Sequence, residues 1–112
     1  MSASPEIIIS DLLPGIYRIS GHFRIFGSGL TPGDLIDIDL ALTLAGGTQK
    51  ISNSNFYEVN PSGDLSASAE IGELFSISSE SNFIELTLAG TIGVLDDPLD
   101  FVISVNRVSG FG

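Results

Sequence analysis

The chain has 112 residues, no cysteine, and 14 acidic against 4 basic side chains, which gives a formal net charge of −10. This length fits one domain, and the missing cysteines exclude disulfides, thiolate metal sites and cysteine nucleophiles. Because neutralisation of phosphates supplies most non-specific affinity for nucleic acid, we expect no nucleic-acid partner for so acidic a chain.

The first ten residues consist of a small polar leader followed by Ile7, Ile8 and Ile9. No basic stretch precedes this apolar run, and the run is too short for a secretory signal. No apolar stretch reaches the length of about twenty residues that a membrane helix needs. We therefore expect a protein made in the cytoplasm without a signal peptide, and no membrane partner.

Alternation of apolar and polar residues predicts β-strands along the whole chain. Clusters of Gly and Pro separate many of these strands, and short strands at such spacing are typical of an all-β sandwich or barrel. The sequence predicts a single domain over residues 1–112, an antiparallel β-sandwich of jelly-roll or immunoglobulin-like type with about eight strands. Residues 65–75 also allow a short helix, which Gly72 and the serines disfavour. The predicted strands are 6–10, 16–26, 35–45, 49–59, 64–71, 74–78, 83–94 and 99–108.

The strand predicted at 16–26 gathers the basic side chains on one face. Arg18, Ser20, His22 and Arg24 alternate there with apolar residues, and successive side chains of a strand point to opposite faces. These four residues, named the basic stripe below, include two of the four Lys and Arg side chains and the only histidine.

Pairing this strand with 35–45, with both apolar faces turned inward, sets Arg24 opposite Asp37 and His22 opposite Asp39. Opposite charges facing each other across strands stabilise a sheet by about 0.2–1 kcal/mol per pair. The pairing predicts an internal ladder of ion pairs. Two alternatives stay open: a docking patch for an anionic partner that includes Arg18, and a catalytic or metal-binding role for His22.

The segment after this strand reads GSGLTPGD over residues 27–34. Its last four residues suit a type II turn, with Pro32 at the second position and Gly33 at the third. The segment resembles the G-x-G-F-x-P-G motif of immunoglobulin-like IPT/TIG modules, with Leu30 where that family often has an aromatic residue. The resemblance is confined to this segment, and it implies a β-sandwich without implying an activity.

The sequence contains no pattern of catalytic residues. It has no Gly-x-Ser-x-Gly nucleophile elbow, and Ser20 lies about 7 Å along the strand from His22, too far for direct proton transfer. We therefore expect no enzyme, no small-molecule substrate and no cofactor. A calcium site at Asp96, Asp97 and Asp100 is the alternative to simple solvation of these loop acids, since calcium prefers oxygen ligands.

Aromatic residues bear on carbohydrate binding, which usually relies on exposed rings. The chain has no Trp and only two Tyr, and we expect its phenylalanines to lie mostly in the core. Mean hydropathy is nevertheless +0.38 and 43% of residues are apolar. That is more than a small soluble monomer needs, which predicts contacts with a partner or with further copies.

The two ends are predicted docking arms, residues 1–10 and residues 108–112. In broad outline the chain resembles the small β-sandwich or jelly-roll decoration (cement) proteins of tailed-phage capsids. This resemblance implies a non-enzymatic structural protein of the virion whose partners are its own copies or a capsid lattice. The alternatives are an immunoglobulin-like surface or adhesion module and a carbohydrate-binding module, and outside a virion we expect a cytoplasmic protein. The predicted interaction residues are Ile7, Ile8, Ile9, Arg18 and Phe111.

Overall fold

A computed structural model describes residues 5–44, 49–78 and 83–110. Within these residues the chain forms strands and no helix, which confirms the predicted all-β class. In particular, none of these segments forms a long apolar helix of the kind that crosses a membrane. The strands are β1 (Glu6–Ile9), β2 (Gly15–Gly27), β3 (Leu35–Leu44), β4 (Lys50–Glu58), β5 (Leu65–Ile77), β6 (Ile84–Gly90) and β7 (Asp100–Gly110).

The strands form two antiparallel sheets packed face to face, as predicted for a sandwich. Sheet A has the order β1-β6-β3-β4, and sheet B has the order β5-β2-β7. Only β3 and β4 are both consecutive in the chain and members of the same sheet, so every other connection crosses between sheets. This order differs from the ABED and CFG sheets of a constant-type immunoglobulin domain.

The core between the sheets follows the period of two that the sequence shows. Every second residue of β2 from 17 to 25 is buried, and so is every second residue of β3 from 36 to 44. In sheet A, Leu86 and Leu88 of β6, the neighbour of β3, are also fully buried in this core. Each such side chain contributes about 1.5–3 kcal/mol when fully buried, so the apolar faces of these strands hold the two sheets together.

One long strand replaces two predicted short ones. The strands predicted at 64–71 and 74–78 are joined in β5 (Leu65–Ile77), which pairs with β2 through Gly72 without interruption. The helical alternative for residues 65–75 is wrong, because their backbone is extended and paired with β2.

The predicted pairing of strand 16–26 with strand 35–45 is also wrong. β2 lies between β5 and β7 in sheet B, whereas β3 lies between β6 and β4 in sheet A. Both strands have one wholly apolar face, and sandwich sheets bring such faces together from opposite sides. The requirement that apolar faces point inward is therefore met equally by neighbours in one sheet and by strands in facing sheets.

The turn predicted after β2 is confirmed. The Asp34 N–H donates a hydrogen bond to the Thr31 carbonyl oxygen at 3.1 Å, and Gly33 has a φ of +87°. A type II turn needs a positive φ at its third position, which glycine adopts without strain. The turn lies in the segment that carries the chain from sheet B to sheet A.

Candidate functional site

The basic stripe lies on the outer face of sheet B, along its central strand. Arg18 and Arg24 are exposed, and Ser20 and His22 are half-buried, while the residues between them point into the core. The prediction that these four side chains share one face is confirmed. Because β2 is paired on both sides, each stripe residue lies in a row between one residue of β5 and one of β7.

The rows differ in how far their side chains project from the sheet. The row of Ser20 projects least and is the lowest. Ser20 lies between Gly72 and Ser104, so this row has no long side chain. The rows on either side carry longer ones: Leu74, Arg18 and Asn106 on one side, and Glu70, His22 and Val102 on the other. The low row forms the floor of a cavity of about 550 Å³ that runs across the strands. We call this cavity the trough.

The stripe contains an ion pair, but not the predicted one. Nε of Arg24 lies 3.1 Å from Oδ2 of Asp100 in β7, the one ion pair among the described residues. The predicted pairs of Arg24 with Asp37 and of His22 with Asp39 do not form, because both aspartates lie on β3 in the other sheet. In the described part of the chain Arg18 forms no ion pair.

Replacing Arg24 by alanine is expected to lower the free energy of unfolding by less than about 1 kcal/mol, the usual size of an exposed ion pair. The Arg24 side chain is 59% exposed and that of Asp100 is 44% exposed. Urea denaturation of Arg24→Ala, with Asp100→Asn as the matched variant, measures this cost. A loss of several kcal/mol would contradict the outward placement of the stripe.

The calcium candidates do not come together as a cluster. Asp96 and Asp97 are exposed in the loop between β6 and β7, and the Asp100 carboxylate points to Arg24. Among residues 5–44, 49–78 and 83–110, no group of three or more His, Cys, Asp and Glu side chains is placed to hold a metal ion. Asp96 and Asp97 are therefore exposed loop acids, and Asp100 is the ion-pair partner of Arg24.

Asp37 and Asp39 form an acidic pair on the outer face of sheet A. Partial burial raises the pKa of the Asp37 carboxyl above its ordinary value, and the charge and hydrogen bond of Asp39 raise this pKa further. The Ser54 hydroxyl on β4 donates a hydrogen bond to Asp39. The pair lies in the other sheet from the trough and is separate from it.

Asp37→Asn is expected to raise the melting temperature at neutral pH. Because the pKa of Asp37 is raised by folding, the folded state binds its proton more tightly, and stability from this group is lost as the pH rises through that pKa. The melting temperature of the variant should therefore fall less than that of the wild type as the pH rises from about 4, the ordinary pKa of a carboxyl, to neutral pH. Thermal melts across this range measure the effect. Asp97→Asn, which changes an exposed loop acid, controls for net charge, and an equal gain in both variants contradicts the prediction.

The two sides of the sandwich are closed to different degrees. On one side β4 lies next to β5, where the Gln49 side-chain amide donates to the Leu74 carbonyl oxygen at 3.0 Å and the Tyr57 hydroxyl donates to the Ser68 carbonyl oxygen at 3.2 Å. These bonds satisfy backbone acceptors of the edge strand β5. The other side lies between the remaining edge strands, β1 and β7. We call it the open side.

Apolar side chains on the open side are incompletely covered. Ile7 and Ile9 are half-buried against the core, and Ile8 is 53% exposed. Val108 of β7 is 57% exposed. The side chains that β7 turns toward the core are only half-buried: Phe101, Ile103 and Val105.

The structure separates the predicted interaction residues. Ile7 to Ile9 belong to β1 (Glu6–Ile9) at the edge of sheet A, so this part of the first predicted arm is paired within the fold. Arg18 lies in the trough, on the outer face of the other sheet. Phe111 lies outside the described residues, and residues 108–110 of the second predicted arm complete β7.

The floor of the trough is not evident from the sequence. Ser104 and Gly72 are ordinary small residues in separate strands, and only their pairing with Ser20 makes them one floor. Ser104 and Asn106 share one face of the strand predicted at 99–108, because side chains two residues apart point the same way, but nothing in the sequence assigned that strand a neighbour.

These features define an antiparallel two-sheet β-protein with a polar trough on one face and an apolar open side. No protein-family model matches the chain, and no curated protein matches it. The function must therefore be argued from the two surfaces.

Proposed function

We propose that the chain is a non-enzymatic structural protein that assembles with its own copies or on a symmetric protein lattice through its open side. The lattice we propose is a virus capsid, which the protein decorates as a cement protein of the virion. The observation that supports this function is the open side, where unguarded edge strands coincide with half-covered apolar side chains.

Edge strands carry unpaired backbone groups that readily pair with another chain, and proteins commonly guard them with lysine, proline or a covering segment. Lys50 is the only lysine of the chain, and it lies on β4, on the closed side. Arg107 is the basic residue of β7, but its Nη2 donates to the Pro14 carbonyl oxygen at 2.6 Å. In the described residues β7 thus has no free basic side chain to guard its edge.

The half-covered apolar side chains of the open side also favour association with a partner. Removing apolar surface from water contributes about 25 cal/mol per Å², so a partner that covers β1 and β7 is stabilised as it binds. Strand pairing at the edge of β7 would satisfy backbone groups at the same time. Homo-oligomers are mostly closed and symmetric, and the local symmetry axes of a capsid favour the same arrangement.

The solution mass of the full-length chain tests the assembly. We expect light scattering to show oligomers that grow with concentration, and co-sedimentation to show binding to purified tailed-phage capsids that lack a decoration protein. If the chain stays monomeric at high concentration and does not co-sediment with the capsids, the proposal is contradicted.

Two truncations locate the contact. Removing residues 108–112 shortens β7, and removing residues 1–10 takes away β1. Each is expected to weaken assembly more than it lowers the melting temperature. The first truncation is the cleaner test, because β1 also packs its half-buried isoleucines against the core. Wild-type assembly in both truncations contradicts a role for the open side.

A further inference from the structure

We propose that the trough binds a neutral, linear oligosaccharide that lies across the three strands of sheet B. The trough is on the face of the sheet, whereas the open side is at its edge. Saccharide binding therefore does not rest on the proposed assembly, and the two can fail independently.

The dimensions of the trough suit a chain of sugar rings. Successive rows on one face of a strand are about 7 Å apart, so the two high rows are separated by roughly 13 Å measured between their backbones. The floor crosses three strands, which span about 10 Å. The cavity volume of about 550 Å³ falls within the range of about 300–1,000 Å³ typical of ligand sites.

The polar groups of the trough are complementary to a ligand that both donates and accepts hydrogen bonds. Arg18 offers only donors from one high row, and the Glu70 carboxylate offers only acceptors from the other. Ser20 and Ser104 on the floor, and Asn106 beside Arg18, can do both. A sugar hydroxyl is a donor and an acceptor at once, so a polyhydroxylated chain can bond to both rows and to the floor along its length.

The charges of the trough disfavour an anionic ligand. Arg18 is its one basic side chain, and Glu70 and Glu73 line the same cavity. A phosphate or sulfate polymer would lie beside the Glu70 carboxylate as well as the Arg18 guanidinium, on a chain with a net charge of −10. A neutral ligand meets no such repulsion.

A peptide fits the trough less well. Extended peptides usually bind by adding a strand to a free sheet edge, with pockets for alternate side chains. The trough runs across the strands, and its central strand β2 is already paired on both sides. The described lining contains no aromatic side chain and one large exposed aliphatic residue, Leu74. Binding therefore rests on hydrogen bonds rather than on ring stacking or apolar pockets.

The experiment titrates the full chain with neutral linear oligosaccharides built from glucose, xylose, mannose or N-acetylglucosamine, each in a separate NMR titration. We expect at least one of them to shift the backbone amide signals of Ser20, Gly72 and Ser104. The variant Ser104→Leu fills the floor and is expected to weaken that binding at least tenfold. Arg18→Ala and Glu70→Ala, which remove one side of the bonding each, are expected to weaken it about tenfold, or about 1.4 kcal/mol.

Ser66→Leu is the matched control, because Ser66 is exposed on the same face but lies outside the trough, opposite Phe26. It is expected to bind the sugar as the wild type does. The proposal is wrong if no oligosaccharide shifts the floor amides, or if Ser104→Leu binds as tightly as Ser66→Leu. It is equally wrong if these amides respond to an extended peptide or to a sulfated sugar and to none of the neutral ones.

Discussion

Replacing Gly21 by alanine is expected to lower the free energy of unfolding by about 1–3 kcal/mol, the usual cost of overpacking a core. Gly21 lies on the inner face of β2, beneath the floor of the trough. A Cβ atom at this position would overlap Cδ1 of Leu86 in β6. Leu86 is fully buried, and in a close-packed core it cannot move aside without displacing its neighbours.

The sign of the change in unfolding free energy distinguishes overpacking from the general effect of replacing glycine by alanine. In an extended strand, alanine in place of glycine reduces the freedom of the unfolded chain and by itself stabilises by about 0.4–1 kcal/mol. A loss therefore reports the close approach of the two sheets. Urea denaturation of Gly21→Ala measures it, and unchanged or increased stability contradicts the predicted spacing.

A double-mutant cycle with Leu86→Ala gives the control. Leu86→Ala alone is expected to cost about 2–5 kcal/mol, because it leaves a cavity in the core. In the double variant the added methyl group enters that cavity, so the combined loss should be smaller than the sum of the two single losses. Strict additivity would show that Gly21 and Leu86 are not in contact.

The period of two predicted the inner faces of β2 and β3 correctly because it is a local property of the backbone. The apolar positions of β2 and β3 can be identified without knowing any partner strand. The type II turn at Pro32 and Gly33 was predictable for the same reason, since its chemistry depends on adjacent residues.

Strand pairing was not predictable from the same pattern, because it depends on residues far apart in the chain. β2 and β3 are consecutive, and each has one apolar face, so a hairpin and a face-to-face packing satisfy the pattern equally well. Opposite charges on Arg24 and Asp37 then favoured the hairpin. In the structure the partner of Arg24 is Asp100, which the sequence offered only as a possible calcium ligand.

Exposure of individual aromatic residues also depends on the position of the strand in its sheet. Phe23 and Phe75 are buried as expected, but Phe56 is 70% exposed. Phe56 lies on β4, an edge strand, with its side chain on the outer face opposite Asp37. A sequence pattern predicts a strand but not its position in the sheet. It therefore does not show which aromatic rings remain exposed to solvent.

Lysine at both Val102 and Val108 is expected to abolish assembly while leaving the fold intact. These side chains on β7 are 39% and 57% exposed, and surface substitutions of this kind usually change stability by less than about 0.5 kcal/mol. Charged side chains on an edge strand prevent its pairing with another chain. Light scattering of the double variant, together with a thermal melt, measures both effects.

Lysines at Leu35 and Phe56 form the matched control, because these residues are 61% and 70% exposed on sheet A and belong to β3 and β4, away from the open side. Both double variants bring the net charge of −10 closer to zero, which by itself promotes association. A loss of assembly in the β7 variant alone therefore cannot come from charge repulsion between acidic chains, and must come from the edge. If both variants assemble as the wild type does, the open side is not the contact, whereas loss in the control variant alone would place the contact on sheet A.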